Sequence, residues 1–288
     1  MISPAQNSFA ARLSTSAAAS MLLWIARTVL GLLVVYPLLP ALQASSMLNG
    51  PDGEAVFFRP GSALLLEGLR VGAPELLVAA KVALLLCAVS LVIGLVPLAL
   101  ALDWLCVQGD PFGARVARAF GFFWRFLKLG AVALLTQAAL LLAASLLSGA
   151  VKSALEKSDE RWLSLAPSAV LLLGLLGCVY VGAVLDLARA SVVQSGWTAH
   201  QGLHRALVCL RERPFAVLFG MYPSVVGSAL AYLSALWLAT RLNLSTPSHL
   251  ALAWSFAVNQ VAALFAIAWR VRWLGRALEL SAQPGLRP

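Results

Sequence analysis

Six stretches of this chain are long and apolar, at about 18–42, 75–102, 126–150, 164–187, 215–240 and 250–269. A helix crossing the hydrocarbon core of a bilayer needs about 20 mostly apolar residues, and each stretch meets that length. A buried strand in a soluble core runs only about 4–8 residues, so these runs are too long for strands. Backbone N–H and C=O groups find no water in lipid, and a helix satisfies them within its own segment. The expected fold is therefore all-α: a polytopic membrane helical bundle with six transmembrane helices in a single integral membrane domain, 1–288, and short interfacial helices between spans.

Composition removes the soluble alternative. Hydrophobic residues make up 61% of the chain and charged residues 11%, where a soluble domain carries roughly 25% charged residues. The first run needs its own test, because ALQA at 41–44 imitates a signal-peptidase site. Its apolar length, about 25 residues, exceeds the 7–15 of a signal h-region, so it reads as an uncleaved span. Cys87, Cys106, Cys178 and Cys209 form no CxxC pair. Neither a disulfide framework nor a thiolate zinc site is expected, and the four read as small apolar fillers.

Orientation follows from where Lys and Arg flank the spans. Bases gather in the amino-terminal flank, in 103–128, in 186–214 and in the carboxyl tail. The alternate segments hold Arg59, Arg70, Lys81, Lys152, Lys157, Arg161 and Arg241, which their acids balance. The first set thus carries the whole net charge of +9. Both termini are expected in the cytoplasm, with the chain multi-pass in a bacterial inner (cytoplasmic) membrane; the arginine bias over lysine is that of a GC-rich bacterial genome. The expected partners are membrane lipids, with anionic headgroups at the cytoplasmic face drawing about 1 kcal/mol per base. Nucleic acid is not expected, since no soluble basic face exists to bind it.

Polar residues mark the candidate sites. In the outer connection, 43–74, turn residues give way to helical spacing from Ser62 to Val71. There Leu65, Leu66 and Leu69 share one face and Glu67 and Arg70 the other. This segment reads structurally as an interfacial helix behind Phe57 and Phe58; functionally, Glu67 and Arg70 would contact a substrate or ion. Within the spans, Gln137, Asn259 and Gln260 need partners in hydrocarbon. They serve either as interhelical hydrogen bonds or as the lining of a polar pathway. Arg27 and Lys81 lie near enough to span ends for their stems to snorkel. Gly174 and Gly182, then Gly220, Ser224 and Ser228, recur at spacings of four or eight that let helix backbones approach closely. Pro37, Pro97 and Pro223 are expected to kink or end their helices.

The two inner connections resemble each other at a period of about 85 residues: Asp103 and Asp186 each close a span before an Arg-rich segment. Asp186 is placed to pair with Arg189 one turn on. His200 and His204, four apart, would present two rings on one helix face as metal ligands do; without an evident third ligand, a polar face is the competing reading, and neither metal nor cofactor is expected.

LDLARA at 185–190, HRAL at 204–207 and LRERP at 210–214, leading into a span, resemble polytopic bacterial membrane proteins related to the membrane domain of glycerophosphoryl diester phosphodiesterases. The resemblance covers about 185–240. It implies six spans; it implies no phosphodiesterase activity, because the chain carries no hydrolase domain, and no catalytic residue. The sequence also lacks GxSxG, HExxH and phosphate-loop patterns. The expected function is a non-enzymatic membrane subunit or scaffold that binds partner proteins or lipids, alone or as a homo-oligomer. The alternative is a small permease or transporter component with a polar path between its helices.

Overall fold

The computed structural model describes residues 4–36, 73–107, 110–155, 160–242 and 249–282, and every element among them is helical. In chain order these are α1 (Pro4–Val35), α2 (Ala73–Ile93), α3 (Leu95–Cys106), α4 (Phe112–Ala154), α5 (Glu160–Ser195), α6 (Ala199–Glu212), α7 (Pro214–Arg241) and α8 (His249–Ala282).

Among the described residues, five segments are long and apolar enough to cross a membrane: Thr15–Val35, Lys81–Cys106, Phe112–Ala154, Leu165–Ser195 and Pro214–Arg241. The sixth expected crossing, 250–269, lies within α8, which is not among those five. Along these segments large apolar side chains face outward, with Leu84, Leu135 and Leu173 exposed by 75%, 72% and 68%. Hiding one such side chain from water is worth about 1.5–3 kcal/mol. Rows of them are stable against lipid and not against water, so this is the surface of a membrane-embedded protein.

Local chemistry sets the helix ends. Pro97 has no N–H to offer Ile93, its i−4 residue, and the second apolar run breaks at Gly94 into α2 and α3. Gly196 ends α5 in the left-handed region, φ 66°, where a side chain is costly. Thr198 then caps α6 reciprocally: its hydroxyl accepts from the Gln201 N–H, and the Gln201 Oε1 accepts from the Thr198 N–H at 3.0 Å. Pro214 begins α7, where a missing N–H costs nothing. The inner Arg-rich segment at 115–120 is not a separate helix. It is the first part of α4, continuous with the span: no proline occurs in Phe112–Ala154, and the helix runs through Gly121 and Gly130.

The chain divides into two compact units, residues 24–97 and residues 1–23 with 98–288. In the smaller, the Leu30 side chain lies 3.8 Å from where a Cβ on Gly94 would stand. In the larger, α4 and α5 run antiparallel. Ser148 meets Pro167, Ala144 meets Gly174, and Gln137 meets Cys178 along one seam. α7 and α8 form a second antiparallel pair, through Gly220 against Trp273, Gly227 against Trp269, and Ser228 donating to the Ala266 carbonyl at 3.4 Å. α5 and α8 join the pairs in parallel.

The well-buried residues of the larger unit gather at one end. They lie at 99–103, where α3 ends, at 183–192 in the last turns of α5, and at 271–281 in the last turns of α8. Phe126, Cys209 and Val217 complete that core from α4, α6 and α7.

Candidate functional site

The packed end holds the buried charges. Asp103, Asp186, Arg115, Arg189 and Arg205 are all buried there, in a molecule many of whose leucines are exposed. The inversion follows from the solvent: lipid accepts a leucine freely, whereas a carboxylate or guanidinium away from water must find partners within the protein.

Asp103 closes α3. Arg118 of α4 grips it with two parallel hydrogen bonds, Nε to Oδ1 and Nη2 to Oδ2, both 2.9 Å. A bidentate fork of this kind fixes direction as well as distance. The same guanidinium reaches the Asp110 carboxylate at 2.8 Å, tying the α3–α4 connection to the pair. Arg115 lies beneath, donating Nε to the Asp110 carbonyl at 3.0 Å and stacking over the Trp104 ring at 4.9 Å.

Asp186, near the end of α5, is fully buried. Its Oδ1 accepts from Arg270 Nη2 at 2.7 Å and its Oδ2 from the Trp273 indole N–H at 2.9 Å. Arg189, the partner expected from spacing, stands at 3.9 Å, an ion pair without a hydrogen bond, with its guanidinium over the Phe126 ring. The dominant partners lie 84 and 87 residues away on α8.

Two more ties close the end. Arg125 of α4 donates to the carbonyls of Gly196 and Trp197, holding the turn before α6. Ser281 of α8 donates to Gln194 Oε1 at 2.8 Å and its carbonyl accepts from Arg205 at 3.4 Å. α6 docks through Gly202: a Cβ there would stand 2.6 Å from Val192 and 2.9 Å from the Ala188 carbonyl. The glycine between the two histidines is thus the helix's contact surface. Cys209 is buried against the same core, and desolvation pushes its thiol pKa up despite the opposing charge of Arg205 and Arg213, so it is an inert filler.

The remaining candidates take other positions. Gln137 donates to the Cys178 carbonyl at 3.0 Å, spending its amide on the α4–α5 seam. Asn259 is exposed and donates to Ser255 on its own helix, and Gln260 beside it is half-buried. The hydrogen bonds of Gln137 and Asn259 thus run to different places. Arg27 and Lys81 are exposed. Gly174 packs so closely that a Cβ would fall 2.5 Å from that of Ala144, whereas Gly182 has nothing within 4 Å. Gly220 lies 3.1 Å from Trp273 on the same measure, and Ser224 is buried. His200 and His204 are both exposed on α6, and among the described residues no group of three His, Cys, Asp or Glu is placed to hold a metal. Glu67 and Arg70 lie outside the described residues.

A groove of about 530 Å³ opens at the charged end, with Thr15, Ser16, Cys106, Gln194, Arg272 and Glu279 in its wall. The chain matches no protein-family model, no curated protein and no solved structure.

Proposed function

We propose that this chain is a non-enzymatic subunit of a bacterial inner membrane, crossing it six times with both termini in the cytoplasm, and that it holds a partner protein against the outward face of α6. In this reading 250–269 is the sixth crossing, and the charged end lies at the cytoplasmic surface. The observation that carries it is how charge is used at that end. Both oxygens of Asp103 and of Asp186 are occupied by donors that fix one helix to another, which leaves no carboxylate oxygen of the pair open for acid–base work. The same network rigidifies a platform whose outer surface, His204, Leu207 and Arg211 on α6, stays exposed. A rigid helix presenting one apolar residue among bases suits an amphipathic, acidic partner helix.

The test is site-specific crosslinking from position 204 in whole cells, followed by purification in mild detergent. One crosslinked protein of fixed stoichiometry is expected, and it is lost in Leu207→Glu and Arg211→Glu while the chain still inserts. A chain that purifies alone, with no product depending on α6, would contradict the assignment.

The half-polar groove at the charged end favours a second reading, a small permease component. Substrate-dependent flux in proteoliposomes that falls in Gln194→Ala would move the balance to it.

A further inference from the structure

We infer that the seam between α7 and α8 is a binding site for one anionic phospholipid, with an acyl chain along its apolar length and the phosphodiester at Arg272. The seam is a continuous groove of two characters. Its apolar part, about 600 Å³, runs on α8 from Trp254 to Trp269, facing Gly227, Ala231 and Leu238 of α7. Its polar part, about 360 Å³, continues past Trp269 to Arg272, Arg276 and Glu279, facing Ser224. Trp269 lines both, so the two share a wall.

The dimensions fit a lipid tail. Fifteen residues of helix separate Trp254 from Trp269, about 22 Å at 1.5 Å per residue. One leaflet of a hydrocarbon core ~30 Å thick occupies about 15 Å, so one acyl chain lies in the groove at full length. The groove exists because small residues line α7 here. Trp269 rests directly on Gly227, where a Cβ would stand 2.6 Å from the indole nitrogen, and Ala231 and Ala235 continue the depression toward Trp254.

Charge selects the headgroup. Arg276 is paired with Glu279 at 2.7 Å. Arg272 has no acidic partner among the described residues; its guanidinium lies over the Trp269 ring at 5.3 Å, at the boundary between the apolar and polar parts. The polar part therefore holds one uncompensated positive charge, which matches the single negative charge of a phosphodiester. A guanidinium offers that group two N–H donors at once, and an indole at headgroup depth sits where tryptophans favour the interface. A zwitterionic headgroup would bring a second cation beside Arg276 and gain less. The inference rests on α8 entering lipid beside α7 and is independent of whether a partner docks on α6.

The experiment is native mass spectrometry of the full detergent-purified chain titrated with phosphatidylglycerol, phosphatidylcholine or glycerol 3-phosphate. The wild type is expected to retain one phosphatidylglycerol per chain, about tenfold tighter than phosphatidylcholine, a ratio worth one factor of ten in Kd. Arg272→Gln removes the preference between the lipids and Arg272→Lys keeps part of it. Ala231→Trp, which fills the groove, weakens both lipids, and Ala257→Trp on the opposite wall does the same should the first variant fail to fold. Glycerol 3-phosphate does not displace the lipid. Equal retention of the two lipids, retention unchanged by groove filling, or displacement by glycerol 3-phosphate each overturns the proposal. So does a dimer that Ala231→Trp converts to monomer with lipid binding intact, since the groove then belongs to a second copy.

Discussion

Asp186 shows how a single carboxylate organises this molecule. It is fully buried, and Arg270, Trp273 and Arg189 surround it from two helices. Removing one member of a buried ion pair leaves the other charge desolvated, at a cost of about 3–5 kcal/mol. Asp186→Ala is therefore expected to lower the detergent-solubilised chain's unfolding free energy by about that amount, and Asp186→Asn by less, since the amide still accepts from Trp273. A loss below ~1 kcal/mol in a denaturant titration of Asp186→Ala would show that the pair is not closed. At this scale the sequence made the acid visible and half of its surroundings. Spacing of three pointed to Arg189, but the closer donors come from α8, and no local pattern announces a partner 84 residues away. Gly202 was hidden for a related reason: its value lies in the Ala188 carbonyl it touches, which belongs to another helix.

The helices are built from the same few devices, and the seams between them depend on where side chains are missing. Gly174 and Gly182 sit on one face of α5 at a spacing of eight, yet only the first faces a neighbour, Ala144 of α4. Gly174→Leu is expected to force the α4–α5 seam apart at a cost of about 1–3 kcal/mol, the usual range for overpacking. Gly182→Ala meets open space and should stabilise by about 0.5–1 kcal/mol through helix propensity alone. Thermal unfolding of both variants in one detergent checks the pair; equal and opposite effects to these would mean that the seam runs along the other face. Five of the six expected spans overlap segments long and apolar enough to cross a membrane, because lipid imposes a minimum length that sequence meets openly. The internal boundaries were less so. The Arg-rich stretch after Pro111 reads as a separate inner helix, but no proline follows to stop it and glycine alone does not, so α4 runs unbroken for 43 residues. The second connection does break, at Gly196 and again before Pro214.

The molecule as a whole divides its surfaces between two solvents. Lipid suits the exposed leucines of five apolar segments, and the buried charges gather at one end, where Asp103 and Asp186 are paired with arginines. Composition made that division evident. The closure of the charged end was not legible, because it depends on which helices become neighbours. In the proposed orientation this end faces the cytoplasm after an even number of crossings. Reporter fusions measure it directly, using a fluorescent protein that folds only inside and a phosphatase active only outside. Fused after residue 288, the reporters are expected to give bright fluorescence and no phosphatase activity, with the reverse for insertions at 243–248. An active phosphatase at the carboxyl terminus would contradict it.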